Sequence, residues 1–461
     1  MRTNNLIHLT DSYKVTHAPQ YPKGTSHVFS FFESRGGVYR DVTFFGLQYF
    51  LKKYLVGQVI TEEDIREGAD FFGAHFGNTS FFNERGWRHI LEKHGGRLPV
   101  EIRAIPEGVT VPYSNAMMTV ENTDPQVPWL TNYLESLLSQ VWYPSTVATQ
   151  SRQMKKIILA SLKKTGTPDD VMFKLHDFGF RGSTSVESAA LGGGAHLINF
   201  MGTDTMAALS FAHTYYGELM AGFSVPASEH STMTSWGKDH EVDAFRNMLE
   251  QYPTGLVSVV SDSYDIFHAC RELWGGELKE QVLMRDGTLV VRPDSGNPSE
   301  VVPKVLSILG EQFGFEVNAK GYKVLNPKVR VIQGDGIDSN SLGNVLTAME
   351  HSHWSADNIV FGSGGGLLQK VNRDTQKFAF KCSAVKVDGV WRDVMKDPVT
   401  DSMKRSKAGR LALIADRNSY RTVSLLETRI PDEENLLRPV FRNGELLVDQ
   451  TFREIRARAA L

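Results

Sequence analysis

The chain has 461 residues, 41% apolar and 22% charged, which is too long for one simple core and carries no disorder, collagen or coiled-coil bias. Fifty Lys and Arg against 53 Asp and Glu leave a net charge of −3; this excludes a nucleic-acid glove and requires any bound anion to be met by a local cluster. The two cysteines, Cys270 and Cys382, stand far apart and suit neither a disulfide framework nor a zinc site, so a reducing compartment is expected.

The opening Met1-Arg2-Thr3-Asn4-Asn5 leads into no apolar signal segment, and no run of about 18 apolar residues follows. A cytoplasmic globular protein is expected, with no membrane or nucleic-acid partner. In the first third, Thr25 to Phe32 and Val100 to Val111 are rich in β-branched and aromatic residues between Pro and Gly, which predicts strands. Trp129, Leu130, Tyr133, Leu134, Leu137 and Leu138, continuing to Val141 and Trp142, recur at helical spacing. Pro128 near the start and Pro144 just past the end predict one helix between them.

From about residue 170 short apolar runs follow one another, each leading into a polar, Gly-containing loop and often a helical pattern. The runs are Val171 to Leu175, His196 to Phe200, Leu256 to Val260, Leu289 to Val291, Val329 to Ile332 and Asn358 to Phe361. Short buried strands alternating with helices predict a parallel α/β sheet. An Asp or Gly cluster at nearly every carboxyl end is what a (β/α) barrel needs, because its loops converge on one face. An open doubly wound sheet would show one dominant Gly-rich turn after its first strand, and none dominates here. The tail returns to β character in Phe378 to Val387, Arg421 to Leu426 and Leu446 to Asp449. The expected organisation is a mixed β/α region over 1–145, the barrel over 146–374, and a β-rich tail over 375–461 that packs back on the first region.

Gly362-Ser363-Gly364-Gly365-Gly366 reads either as a phosphate cradle, with backbone N–H groups brought close to an anion, or as a tight turn. Arg373, Lys381 and Lys396, then Lys404, Arg405, Lys407 and Arg410, read either as a solvated basic face or as a polyphosphate clamp. Asp262, Asp294 and Asp335 end three predicted neighbouring strands; they serve ribose hydroxyls or Mg²⁺, or each caps the following helix. Glu229-His230-Ser231 places a histidine beside a carboxylate at an apparent helix start, with a plain polar-loop histidine as the alternative. Phe178 and Arg181 in His176-Asp177-Phe178-Gly179-Phe180-Arg181-Gly182 form a stacking and ion-binding edge, unless Phe178 is a core residue.

With these stretches side by side, the chain resembles the nicotinamide phosphoribosyltransferase family nearly end to end. The most specific segments are Asp11-Ser12-Tyr13-Lys14-Val15-Thr16-His17, Leu175 to Gly182, Gly202-Thr203-Asp204-Thr205, Ser228 to His240, Arg292 to Pro298 and Phe361 to Lys370. Ser258 to Asp265, Gln333 to Gly336 and Lys396-Asp397-Pro398 add to the match. The resemblance implies a type II phosphoribosyltransferase fold: an irregular α/β barrel with a second, discontinuous, β-rich domain, working as a homodimer with two sites at the interface. The implied reaction joins nicotinamide to phosphoribosyl pyrophosphate, giving nicotinamide mononucleotide and pyrophosphate.

Residue by residue, the resemblance implies that Phe178 and the partner chain's Tyr13 sandwich the pyridine ring and that Asp204 accepts a hydrogen bond from the carboxamide. Ser258 and Arg292 would line the base pocket, and Asp294, Gly334 and Asp335 would hold the ribose. Gly364 and Gly365 would cradle the 5′-phosphate, while Arg35, Arg373, Lys381 and Lys396 would meet the pyrophosphate. His230, with Glu229 and Asp262 near it, matches the histidine that ATP phosphorylates. Mg²⁺ is expected with pyrophosphate and ATP.

Two departures stand out. Ala379 replaces a serine common near the phosphates, and the stretch between Arg35 and Thr43-Phe44-Phe45-Gly46 is shorter than in vertebrate members. The nearest rival is a nicotinate phosphoribosyltransferase, against which Asp204 discriminates because a carboxylate repels a substrate carboxylate. A barrel aldolase would need a Schiff-base lysine at a strand end, and none stands there. A nucleotide-sensing protein on this scaffold would not need Asp204, His230 and Arg292 together.

Overall fold

Stretches rich in Val, Ile, Leu and Phe, buried over several consecutive residues, form most strands of the two main sheets. In the computed structural model, which describes residues 5–397, 406–417 and 419–461, they run in chain order as follows. The first are β1 (Thr25–Ser34), β2 (Val100–Ala104), β3 (Ala116–Asn122), β4 (Leu175–Asp177) and β5 (Gly202–Thr203). The next are β6 (Thr254–Val260), β7 (Asp286–Arg292), β8 (Val329–Gln333) and β9 (Ile359–Ser363). The last are β10 (Phe378–Val387), β11 (Val390–Asp393), β12 (Arg438–Arg442) and β13 (Glu445–Leu446). Met1 to Asn4, Pro398, Lys404 and Arg405 lie outside the described residues.

The chain forms two compact units, one of residues 1–149, 215–217 and 372–459, the other of residues 150–214, 218–371 and 460–461. The first is built on a seven-stranded antiparallel sheet in the order β11-β10-β1-β3-β2-β12-β13. Its central strands bury Val28, Phe31, Phe32, Ile102 and Val120 completely. Strand β10 pairs with β1 so that Lys381 stands opposite Phe31 and Ala379 opposite Glu33.

The second unit holds a six-stranded parallel sheet in the order β5-β4-β9-β8-β7-β6. Its two edges are joined through residues 223–228. Phe223 bridges Gly202 of β5, and Ala227 bridges Ser258 of β6, both in parallel sense. The Thr203 N–H donates to Phe223 O at 3.0 Å and the Ser258 N–H to Pro226 O at 2.9 Å. Pro226 has no N–H to donate, which limits this stretch to isolated bridges rather than a full strand. The result is a closed, irregular barrel, as the α/β reading of the sequence expected.

Strand periodicity then divides inside from outside. Val257, Val259, Val291, Val331 and Phe361 are buried on the outward face. Their neighbours Leu256, Ser258, Val290, Ile332 and Val360 line a cavity within the ring. Pairing sets them in register, with Ser258 opposite Val290 and Ile332 opposite Val360.

Several local expectations are corrected. His196 to Phe200 is not a strand: the helix Val186–Leu197 runs into it, and the strand is β5, Gly202–Thr203. His196 is buried near the end of that helix, where its ring meets Ser151 Oγ at 3.0 Å and the Leu175 carbonyl at 3.2 Å. Val171 to Leu175 is mostly a 3₁₀ turn, Pro168–Phe173, so His176 and Asp177 belong to β4 rather than to the loop after it. The expected helix from Trp129 to Trp142 breaks into Leu130–Tyr133, Glu135–Leu138 and a 3₁₀ turn, and Pro144 opens the next helix, Trp142–Thr165, instead of ending the previous one. A proline in the first turn removes no intrahelical bond, so it marks a start as readily as a stop. Val100 to Val111 splits at Pro106 into β2 and Thr110–Pro112, and in the tail only Glu445–Leu446 pairs where Leu446 to Asp449 was expected.

Candidate active site

The carboxyl ends of the six parallel strands carry the polar loops singled out in the sequence. Within the barrel unit they surround two cavities, an inner one of about 300 Å³ and one at the mouth of about 760 Å³. Phe178, Asp204, Ala227 and Arg292 line both, so the two are continuous.

The inner cavity is a largely apolar slot with polar groups at a few points. Val290, Ile332, Val360 and Leu256 give it aliphatic walls, and Phe178, Phe173 and Phe223 give it aromatic ones. Phe178 is placed by its N–H, which donates to Ser363 O at 3.0 Å, and by the absence of a side chain at Gly362 beneath it. The ring therefore belongs to the cavity wall rather than to the core.

Besides Ser224, four polar side chains line this slot. Asp204 follows β5, its N–H donating to Asp177 O at 2.9 Å, and its carboxylate accepts the Ser224 hydroxyl. Ser258 and Arg292 rise from β6 and β7. The Arg292 Nε–H is buried with no hydrogen-bond partner among the described residues, and its nearest carboxylate, Asp294, stands 3.8 Å away. His176 is the fourth; burial pushes its imidazole below the ordinary histidine pKa, with Asp204 opposing that shift. A neutral ring is thus favoured beside the slot.

The mouth collects Arg181, Glu229, Asp294, Gly334 and Asp335. Burial raises the Asp294 pKa against the opposing pull of Arg292, with Asp262 and Asp335 adding to the rise and His230 opposing it. The three aspartates do not cap helices. Those caps are Asp265, Asn297 and Asp338, each three residues beyond the strand-end carboxylate, and each accepts N–H groups of its own helix. The capping alternative is excluded for Asp262, Asp294 and Asp335, leaving them for other work.

His230 is the first residue of the helix His230–Thr234, and Glu229 is its N-cap. Its Nε2 lies 3.0 Å from Asp262 Oδ1; the histidine is 47% exposed and the aspartate side chain 3%. Asp262 is held by its neighbour Ser261, whose N–H donates to Arg292 O at 3.0 Å and whose hydroxyl accepts from Trp274 Nε1 at 3.1 Å. The Glu229 carboxylate turns instead to the Ser231 hydroxyl. In the glycine loop, Gly362 and Ser363 complete β9, and Gly364 precedes the short helix Gly365–Leu368.

The remaining candidates lie in the β-rich unit. Arg35, Arg373, Lys381 and Ala379 line one cavity of about 630 Å³ together. Lys396 does not line it; its backbone exchanges hydrogen bonds with Ser406, at 2.9 Å to the hydroxyl and 3.0 Å from the N–H. Lys407 pairs with Glu33 and Arg410 with Glu121, so these two form ion pairs rather than a clamp. Tyr13 sits on the 3₁₀ turn Ser12–Thr16, 57% exposed.

Sequence reading missed His176, Phe173, Phe223, Ser224, Leu256 and Val290 as lining residues. Only the even-numbered register of the strands could have found Leu256 and Val290. Phe223 and Ser224 carry no local signal, because Pro226 hides the bridging segment they belong to.

Comparisons with known proteins agree along the whole chain. A family model described as the nicotinate phosphoribosyltransferase family matches residues 173–445, and one described as the nicotinamide phosphoribosyltransferase N-terminal domain matches residues 5–102. A nicotinamide phosphoribosyltransferase of Xanthomonas campestris is 52% identical over 99% of this chain and 98% of its own. That of Acinetobacter baylyi is 33% identical over 99% and 97%. Among solved structures, human nicotinic acid phosphoribosyltransferase shares the fold at a TM-score of 0.62 and 17% identity, covering 98% of this chain and 92% of its own.

Proposed function

This chain belongs to the nicotinate phosphoribosyltransferase family, and from that premise we propose that it makes nicotinamide mononucleotide for NAD salvage. Nicotinamide and phosphoribosyl pyrophosphate are the substrates: the pyridine nitrogen bonds to C1′ of the ribose, the C1′–O bond breaks, and pyrophosphate leaves. The observation that carries this reading is Asp204, a carboxylate at the rim of a slot walled by Phe178 and aliphatic side chains. It accepts a carboxamide N–H and repels the carboxylate of nicotinate. The unpartnered Arg292 Nε–H supplies a donor for the carboxamide oxygen, and Ser258 completes the lining.

Charge develops on the ribose as pyrophosphate departs, so catalysis rests on positioning and electrostatic stabilisation rather than on a protein nucleophile. Asp294, Gly334 and Asp335 at the mouth hold the ribose hydroxyls. The Gly364 and Gly365 backbone amides take the 5′-phosphate. The pyrophosphate role of Arg35, Arg373, Lys381 and Lys396 rests on the family resemblance; support for the first three is that they line one cavity. Tyr13 of the partner chain stacks on the far face of the pyridine ring in a homodimer.

ATP enters as a co-substrate. With Asp262 accepting the Nε2–H of His230, the Nδ1 lone pair is the one that takes the γ-phosphoryl group, forming an N–P bond as ADP leaves. Asp262, Asp294 and Asp335 are hard oxygen donors but form no closed cage, which fits Mg²⁺ carried in on a polyphosphate rather than bound alone. When bound, Mg²⁺ neutralises charge on the leaving pyrophosphate.

The test is a mass-spectrometric assay with phosphoribosyl pyrophosphate, Mg²⁺ and either nicotinamide or nicotinate, with and without ATP. Nicotinamide mononucleotide should form, more of it with ATP. Turnover of nicotinate in preference to nicotinamide would overturn the reading.

A further inference from the structure

In the β-rich unit, the helix Glu84–His94 carries two histidines that turn toward a single carboxylate oxygen. His89 Nε2 lies 2.7 Å and His94 Nε2 2.6 Å from Asp124 Oδ2. All three candidate ligand atoms fall within 4.8 Å of one another, the one such group among the described residues. We propose that His89, His94 and Asp124 form a binding site for a divalent transition-metal cation of the zinc class, separate from the barrel and its chemistry.

The backbone builds this constellation. His94 is the last residue of its helix, which ends at Gly95 in the left-handed region with φ 59°. Residues five apart lie on different faces of a helix, so the two rings meet by converging on the carboxylate supplied from outside it. Ring centroids stand 5.9 Å apart at an interplanar angle of 69°. Asp124 follows β3, and its other oxygen, Oδ1, accepts the Gln126 N–H at 2.8 Å. Asn122 Nδ2 donates to the Asp124 carbonyl at 2.8 Å and fixes the loop. Oδ2 is thereby aimed between the two imidazoles. An outer contact of this kind orients a carboxylate ligand.

The donor set decides the class of ion. Two imidazole nitrogens and one carboxylate oxygen suit Zn²⁺ and its borderline neighbours, not the all-oxygen preference of Mg²⁺ or Ca²⁺. Ligands at about 2.0–2.1 Å in a tetrahedral site stand roughly 3.3 Å apart, so a small outward shift of the carboxylate admits the ion. Burial is part-way, with side-chain exposures of 16% for His89, 27% for His94 and 14% for Asp124. The ligands are therefore shielded yet reachable, and a surface groove lined by His89 and Gln126 opens beside them. Water completes the coordination. The ion then ties the end of the helix to the loop after β3, and cation binding to the folded chain alone stabilises it.

Chelator-stripped protein is titrated with Zn²⁺ and, separately, with Co²⁺, in excess Mg²⁺, and compared with the double variant His89→Gln/His94→Gln. The parent should retain about one equivalent more metal per chain than the variant. It should also show the visible d–d bands of imidazole-bound Co²⁺ and melt at a temperature that climbs with the logarithm of free Zn²⁺. If the double variant fails to fold, the single variant His94→Asn replaces it and should lose the Co²⁺ bands. Equal metal retention in parent and variant, or a parent whose melting ignores Zn²⁺, overturns the site and leaves a purely hydrogen-bonded cluster.

Discussion

The Phe178 ring lies so close over Gly362 that a Cβ built there would fall 2.0 Å from its Cε2. Neighbouring Gly334 leaves 3.4 Å to the same ring edge. Two strand-end glycines therefore set the position of the aromatic wall. Gly362→Ala should displace the ring, lowering stability by about 1–3 kcal/mol. It should raise the nicotinamide KM by about tenfold or more. Thermal melting and steady-state kinetics check both; unchanged values would mean that the ring is free to move.

His230 and Asp262 predict a separable ATP step. His230→Ala should keep measurable transferase activity but lose ATP hydrolysis and its stimulation of product formation, because the histidine accepts phosphate and does not break the glycosidic bond. Incubation with γ-labelled ATP should give acid-labile, base-stable label in the parent only. Equal labelling of the mutant would remove His230 from this role.

The dimer proposal predicts complementation. Tyr13→Ala and Phe178→Ala should each be nearly inactive. Refolding them together should restore about a quarter of parental activity, since half of randomly paired two-fold dimers are mixed and each mixed dimer has one intact site. No recovery, with mixed dimers verified by tag pull-down, would mean that both aromatics serve one site from one chain.

Asp204 should set the choice between amide and acid. A charge-assisted hydrogen bond to the carboxamide is worth about 1.5–3 kcal/mol. Asp204→Asn should lower nicotinamide kcat/KM by about one to two orders of magnitude and raise nicotinate turnover from near zero. The ratio of kcat/KM for the two bases at fixed phosphoribosyl pyrophosphate is the measurement. An unchanged ratio would show that Asp204 does not read the carboxamide.

Asp177, at the end of β4, predicts a pH dependence of stability. Burial pushes its pKa from the ordinary 3.8 up to about 6, against the Gly179 N–H, which donates to its Oδ1 at 2.7 Å. The folded state then holds a proton that the unfolded chain has released, so stability falls as pH rises from about 4 to about 6 and stays lower above it. The cost reaches about 3 kcal/mol at most. Asp177→Asn keeps the acceptor for Gly179 and should flatten that fall. Urea unfolding of parent and variant from pH 4 to pH 8 checks it; parallel curves would show that Asp177 stays ionised when folded.

What the sequence determined by itself is local in origin. The runs from Leu256 to Phe361 read as buried strands and proved to be strands, and the Asp or Gly at their ends share one face because parallel strands share one polarity. Phe178, Asp204 and Arg292 stand near strand ends for that reason, while their roles, and that of His230 at its helix start, came only from the family pattern of their segments. The tertiary structure alone decided which face of each strand looks inward, and so made Val290 and Leu256 lining residues while burying Val291 and Val257 elsewhere. It also closed the barrel through Phe223 and Ala227, since hydrogen bonds between segments far apart in sequence leave no local periodicity. Histidines 89 and 94 show the same limit. Five residues apart on a helix they have no reason to meet, until a carboxylate from beyond another strand's end brings them to one point.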